Sequence, residues 1–185
     1  VDADVAEIYL KHGGATEGFY REISALDGVY VPAFTTPVYN GDGSVDRFDG
    51  IKHIKKALVC DLDGAIYPDR FAVPNCESVH DRAVLEVMRG CYRGCRFCQA
   101  GFIYRPVRKR GVQTLTRQAS ELIKHTGYGE VSLNSLSTGD YGKLPELIRS
   151  LKENLPPEVT LALPSLRVDS FEEDFAQDAR KTSLT

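Results

Sequence analysis

The chain has 185 residues, 42% of them hydrophobic and 26% charged, with a formal net charge of −3. Such values are typical of one globular domain or of part of one. Because the sequence has no apolar run of about 18 residues, no basic-then-apolar leader and no lipidation signal, we expect neither membrane insertion nor export, and therefore a cytoplasmic protein.

The first 75 residues are predicted to form a helical and extended segment. Apolar residues at three-to-four spacing predict helices over residues 1–27, with a break at Gly13-Gly14 and a cap at Thr16. Residues 29–31 are predicted to form a short strand that ends at Pro32. Residues 32–75 are rich in Pro, Gly and Asp, which indicates an extended connector.

Residues 76–185 are predicted to form a second region with a regular α/β pattern. The predicted strands and helices alternate along the chain: strand 83–88, helix 117–126, strand 130–136, helix 144–155, strand 159–163 and helix 171–180. Such an order indicates parallel strands joined by right-handed crossovers. Residues 181–185 resemble the entry to a fourth strand.

Three loops of this region follow strands and are expected to share one rim of the sheet, where ligands bind in parallel α/β folds. They are the loop after residue 88, the turn at residues 137–140 and the segment at residues 164–167.

The first of these loops contains Cys91, Cys95 and Cys98, in a C-x3-C-x2-C pattern. Thiolates are the usual ligands of iron-sulfur clusters, and three of them leave one iron of a cube open. Zinc and a cluster with four protein ligands are alternatives, although no second pair of cysteines supports a zinc site. The remaining thiols, Cys60 and Cys76, are predicted to be buried, as free cysteines often are.

The cysteine pattern, Phe97 before the last cysteine, and the position of the loop after the first strand resemble the radical S-adenosylmethionine (SAM) superfamily. The stretches at residues 79–91, 96–108 and 163–169 resemble a branch whose members commonly carry a cobalamin-binding-type domain upstream. The resemblance implies the first half of a partial (β/α) barrel. The chain begins with Val1 and ends at the fourth strand, so we expect a piece of a longer protein, inactive by itself.

The resemblance also implies a [4Fe–4S] cluster on the three cysteines and SAM beside it. The cluster reduces SAM to methionine and a 5'-deoxyadenosyl radical, which acts on a substrate that the sequence does not identify. It further implies an electron donor such as flavodoxin or ferredoxin. The residues expected near SAM are Phe97, Thr138, Gly139, Asp140, Ser165 and Arg167. Thr138-Gly139-Asp140 stands where the family has a Gly-Gly-Glu-like turn, so a backbone contact is the safer expectation. The Asp-x-His-x-x-Gly motif of cobalamin binders is absent from the chain.

Two other functions are compatible with parts of the sequence. Asp61 and Asp63 lie in a stretch that resembles the start of haloacid-dehalogenase-like phosphatases, in which Asp61 would be the nucleophile and Mg²⁺ the cofactor. Seven Lys or Arg residues without a carboxylate lie between Arg89 and Arg110, which would suit an RNA-binding module. The favoured interpretation is that a loop holding an anionic cluster and a carboxylate-bearing cofactor needs positive charge, and that the remaining basic residues are solvated.

Overall fold

The computed structural model describes residues 1–50, 53–76, 78–167 and 182–183. Its chain divides into two compact units, Val1–Val59 and Cys60–Thr185. The helix predicted over residues 171–180 lies outside the described residues. Within the described parts of the chain, none of the helices combines the length and the apolar character needed to cross a membrane.

The first unit begins with two short helices, α1 (Asp2–Lys11) and α2 (Glu17–Ile23). Thr16 caps α2 as predicted, since its hydroxyl oxygen accepts the backbone N–H of Phe19 at 3.2 Å. A small apolar core holds the unit together: its buried members are Ile8, Phe19, Ile23 and Val31.

The predicted strand at residues 29–31 is wrong, and the predicted connector contains a hairpin instead. Residues 32–34 form a 3-10 turn, followed by the antiparallel strands β1 (Thr35–Tyr39) and β2 (Val45–Gly50). Asn40 and Ser44 close the hairpin with a backbone hydrogen bond of 2.8 Å. Because every residue of β2 is exposed, the strand has no apolar alternation that sequence patterning could detect.

The second unit is built on a parallel sheet, as predicted. The four strands are β3 (Ala83–Glu86), β6 (Glu130–Asn134), β7 (Thr160–Ala162) and β8 (Thr182–Ser183), and they lie in that order. Residues 182–183 therefore confirm the expected entry to a fourth strand. A separate antiparallel pair, β4 (Met88–Arg89) and β5 (Arg108–Lys109), flanks the cysteine loop, which also contains the short helix α3 (Ala100–Ile103).

Two amphipathic helices connect the parallel strands. Helix α5 (Leu144–Asn154) agrees closely with its prediction, whereas α4 (Val112–Thr126) begins five residues before the predicted start at Arg117. The additional turn contains Thr114 and Thr116, which have modest helix propensity. It is supported by a contact distant in sequence, because the Asp63 carboxylate accepts the Gly111 N–H just before the helix at 2.8 Å.

The second unit has an extensive core between the sheet and α4 and α5. Leu122 of α4 is fully buried in it. We expect Leu122→Ala to lower the free energy of unfolding by about 2–5 kcal/mol, because the truncation removes apolar contacts and leaves a cavity. Leu136→Ala is the matched control, since 43% of Leu136 is exposed. Urea unfolding followed by circular dichroism measures both variants, and equal losses would contradict the assigned core.

Residues 60–76 contain no helix or strand, but they belong to the second unit. Leu62 is buried, and its carbonyl accepts a hydrogen bond from the guanidinium of Arg110. The Arg110 side chain is only 1% exposed and also stacks over the ring of Tyr67, with 5.2 Å between its guanidinium carbon and the ring centroid. This segment is therefore attached to the sheet through a buried arginine.

Candidate functional site

The cysteine loop is closed at its base by the pairing of β4 with β5. Gly90, at the start of the loop, has a φ of +82°, a backbone conformation that L side chains rarely adopt. A Cβ atom at this position would lie 2.7 Å from the carbonyl oxygen of Tyr104 and 3.0 Å from that of Pro106. The two ends of the loop can approach this closely only because residue 90 is glycine.

The three cysteines lie near one another along this loop, but they are exposed to different degrees. Cys91 is buried, and its sulfur accepts the backbone N–H of Arg93 at 3.4 Å. Cys95 and Cys98 are partly exposed, and the Cys98 N–H donates to the Cys95 carbonyl at 3.0 Å. Three thiols on a short loop fit an iron-sulfur cluster by donor chemistry.

Within the described residues, no group of three or more His, Cys, Asp or Glu side chains is arranged to hold a metal ion. The cysteines are therefore not in a ligating arrangement in this structure, and their assignment as ligands stays a prediction.

The other two cysteines are not buried, which corrects the prediction. Both Cys60 and Cys76 are exposed: they lie in the stretch without helix or strand, where no regular element turns their side chains towards the core. In the native chain we expect iodoacetamide to label Cys60 and Cys76 before the buried Cys91. Mass spectrometry of peptides after timed labelling checks the order, and faster labelling of Cys91 would contradict the burial of that thiol.

The turn after β6 is joined to the cysteine loop by an ion pair. Residues 138–141 form a 3-10 turn, and both oxygens of Asp140 accept hydrogen bonds from the Arg93 guanidinium, at 2.8 Å and 2.6 Å. The hydroxyl of Ser137 donates to the same carboxylate at 2.8 Å. The expectation that the first two loops share one rim is therefore confirmed.

A second basic residue joins the same two elements. The Nζ of Lys109, in β5, donates to the carbonyls of Asp140 at 3.1 Å and of Tyr141 at 2.7 Å. The same ammonium lies 5.2 Å from the ring centroid of Tyr92 in the cysteine loop. The basic residues of this region are recognisable from the sequence, but these contacts are not, because the partners lie about thirty or more residues away, as expected for contacts made by tertiary structure.

The residues expected near SAM occupy different environments. Thr138 is fully buried, backbone included, and its hydroxyl lies 2.9 Å from that of Ser135, so this residue does not face solvent or an open site in this structure. Phe97 is 92% exposed. Ser165, with a φ of +61°, and Arg167 are exposed in the segment after β7, while Gly139 is partly exposed. Arg167 is close enough to Asp140 to contribute to lowering the pKa of that carboxyl.

The hydrogen bonds from Arg93 are the main reason that the pKa of Asp140 lies below its usual range. A carboxyl group with a lowered pKa stabilises the fold above the unfolded-state pKa, near about 3.9. That contribution is lost as the pH falls through the lower pKa of the folded state.

We therefore expect the loss of unfolding free energy in Asp140→Asn to be largest at neutral pH. The difference from wild type should shrink as the pH falls below about 4, the ordinary pKa of an Asp. Urea unfolding at several pH values measures it. A difference that grows on acidification would contradict the ion pair.

The two aspartates of the phosphatase-like stretch have local structural partners. Asp63 caps the start of α4, and Asp61 accepts the backbone N–H of Asp63 at 2.9 Å. The described residues 53–60 before them form no strand. The arrangement that would present Asp61 as a nucleophile at a strand end is therefore not observed here.

Most of the basic residues between 89 and 110 have partners within the second unit. Besides Arg93 and Lys109, Arg89 pairs with Glu86 at 2.5 Å, and Arg110 is buried. The guanidinium groups of Arg105 and Arg108 donate to backbone carbonyls of the loop. The charge of this region is therefore engaged to a large extent in contacts of the second unit, and its role towards the anionic cluster stays a prediction.

No family model matches the chain. Among curated proteins, an uncharacterized protein of Methanocaldococcus jannaschii is 36% identical over 102 residues, which cover 55% of this chain and 22% of that protein. The threonylcarbamoyladenosine tRNA methylthiotransferase of Bacillus subtilis is 29% identical over 130 residues, 66% of this chain and 26% of the enzyme. The ribosomal protein uS12 methylthiotransferase of Thermotoga maritima is 30% identical over 99 residues, which cover 50% of this chain and 23% of that enzyme.

The chain thus spans about a quarter of the length of the curated relatives that it matches. The two methylthiotransferases are radical SAM enzymes, related to this chain at low identity. Their similarity supports a place for this chain in the radical SAM superfamily.

Proposed function

We propose that the chain is the first half of a radical SAM core, in which Cys91, Cys95 and Cys98 hold a [4Fe–4S] cluster. Within the superfamily, the residues around the cysteines favour the branch with an upstream cobalamin-binding-type domain. The relation to methylthiotransferases supports the superfamily, and the parallel sheet with its strand-end loops supports the core.

The observation that carries the proposal is the bidentate contact between Arg93 and Asp140. It brings the cysteine loop to the turn at which the superfamily binds the amino group of SAM. These elements lie 47 residues apart in sequence, so their meeting is a property of the fold and not of the local motif.

When bound, the cluster supplies the electron that cleaves SAM into methionine and a 5'-deoxyadenosyl radical. The chain's own residues bind and orient the two cofactors. The partly exposed backbone at Gly139 would contact the amino group of SAM, while the buried Thr138 would support the turn through its contact with Ser135. Arg167 would form a fork on the SAM carboxylate. Phe97, Asp140 and Ser165 complete the surroundings of SAM in this proposal. The three thiols would come together as the cluster assembles, since metal binding is commonly coupled to folding of the site.

Anaerobic reconstitution tests this function. After reduction with dithionite, the cluster should give an electron paramagnetic resonance signal that changes when SAM is added. The fork on the carboxylate predicts a weaker response to SAM in Arg167→Gln, with an unchanged amount of cluster. Zinc bound in place of iron after aerobic and anaerobic purification alike would contradict the proposal.

We also propose that the cluster receives its electron from a donor of the flavodoxin or ferredoxin type. The substrate of the radical is not identified by this proposal.

The two alternative functions receive no comparable support from the geometry. Asp61 and Asp63 are engaged with backbone N–H groups, and the basic residues of the loop are largely engaged in the fold. If the chain hydrolyses a phosphomonoester in the presence of Mg²⁺ and Asp61→Asn abolishes this activity, the phosphatase function would be supported instead.

A further inference from the structure

We infer that Arg93 and Asp140 form a clamp that sets the position of the cysteine loop, with Arg93 as a positioning residue for the proposed cluster. The inference rests on the proposed function for its purpose, but its geometry can be tested without any cluster. In this arrangement the Asp140 side chain binds the cysteine loop, and the backbone of the turn stays available to bind SAM.

All three polar groups of Arg93 are engaged in the loop or the turn. Its backbone N–H donates to the Cys91 sulfur at 3.4 Å, and its carbonyl accepts from the Arg105 guanidinium at 3.3 Å. Its own guanidinium holds both oxygens of Asp140. Because Arg93 lies midway between Cys91 and Cys95, fixing this residue fixes the backbone that carries both thiols.

The Asp140 end of the clamp is held independently. Its side chain is 14% exposed, and the Ser137 hydroxyl occupies one of its oxygens in addition to Arg93. The neighbouring carbonyls are held by Lys109. The turn therefore holds the carboxylate in a fixed position, to which the Arg93 side chain, 40% exposed, can bind.

An isolated surface ion pair contributes little to stability. The pair of Arg93 and Asp140 differs from such a pair in its geometry and in its burial. The two parallel N–H···O contacts give a defined orientation as well as energy. The carboxylate is mostly shielded from water, and its oxygens already have three donors. Such a carboxylate is poorly available to a SAM amino group, which favours its role in positioning the loop.

The test uses timed labelling of cysteines in the metal-free 185-residue chain. In Arg93→Gln, we expect Cys91 and Cys95 to react about tenfold faster than in wild type, the factor that corresponds to losing one charge-assisted hydrogen bond of ordinary strength. The exposed Cys60 and Cys76 should react at unchanged rates and serve as internal references.

Arg82→Gln is the matched control variant. Arg82 pairs with Glu130 at 2.9 Å, and their side chains are 28% and 29% exposed, so the variant also removes an ion pair of the second unit. It should leave the labelling of Cys91 and Cys95 unchanged. A general loss of stability would affect both variants, whereas loss of the clamp affects only the cysteine loop.

Asp140→Asn tests the other end of the clamp and replaces Arg93→Gln if that variant fails to fold. We expect it to accelerate the same two thiols, and the double variant should label no faster than the faster single variant. Unchanged labelling in both single variants, or fully additive effects in the double variant, would overturn the clamp.

Iron reconstitution separates the clamp from the proposed function. If wild type binds a cluster, Arg93→Gln should lose iron to a chelator faster than Arg82→Gln does. If wild type binds no cluster while the labelling changes as expected, the clamp stands and the proposed function fails. If wild type binds the cluster and the labelling does not change, the function stands and the clamp is wrong.

Discussion

Replacing any one of Cys91, Cys95 and Cys98 with alanine should abolish the broad absorbance near about 400 nm that anaerobic reconstitution gives to thiolate-ligated clusters. Three thiols are the smallest set that leaves a single iron open, and the loop has no spare cysteine to replace a lost ligand. We expect iron and acid-labile sulfide per chain to fall to background in each variant, measured by colorimetric assay beside the absorbance.

The exposed Cys60 and Cys76 provide the controls for this prediction. Cys60→Ala and Cys76→Ala should keep the iron, the sulfide and the absorbance of wild type. Loss of the cluster in either control, or wild-type iron in a variant lacking all three loop cysteines, would show that the loop is not the binding site.

Replacing Arg110 with methionine should cost about 1–3 kcal/mol of unfolding free energy, as expected when a buried carbonyl loses its hydrogen-bond donor. The Arg110 side chain is 1% exposed and donates to the Glu86 carbonyl at 3.1 Å and to the Leu62 carbonyl. Burial tends to raise the pKa of Glu86, but Arg89 and Arg110 more than offset it and lower that pKa. Without Arg110, the buried carbonyls of two segments lose their donor.

Arg89→Met is the matched control, because Arg89 contacts the same carboxylate from a side chain that is 38% exposed. We expect it to cost about 1 kcal/mol or less, as exposed pairs generally do. Urea unfolding followed by circular dichroism compares the two variants. Equal costs for Arg89→Met and Arg110→Met would refute the role of Arg110 as the buried attachment of residues 60–67.

The parallel sheet could be predicted from sequence because its signals are local. Helices α4 and α5 carry apolar residues on one face, and β3, β6 and β7 each follow or precede such a helix. The hairpin of β1 and β2 gave no such signal, because an exposed strand lacks a buried face. The segment at residues 60–67 was missed for another reason: it packs through a buried arginine, and arginine is rarely buried unless it is paired.

The sequence indicated which loops meet at the candidate site but not the contacts that join them. The cysteine spacing predicts Cys91, Cys95 and Cys98 as ligands, which stays a prediction, and strand order placed the turn near Asp140 on the same rim. The pairing of Arg93 with Asp140 depends on the exact approach of two loops 47 residues apart, which residue type and spacing do not encode. The burial of Thr138 likewise follows from the 3-10 turn, whose side-chain directions no motif specifies.

If the three loop thiols, and no others, hold one cluster, reconstitution should protect these thiols selectively. Alkylation of all five cysteines before and after anaerobic reconstitution, with the labelled peptides identified by mass spectrometry, measures this protection. We expect about four irons per chain, the content of one [4Fe–4S] cluster, to protect Cys91, Cys95 and Cys98 while Cys60 and Cys76 stay reactive. Protection of Cys60 or Cys76, or iron bound without protection of the loop, would contradict this expectation.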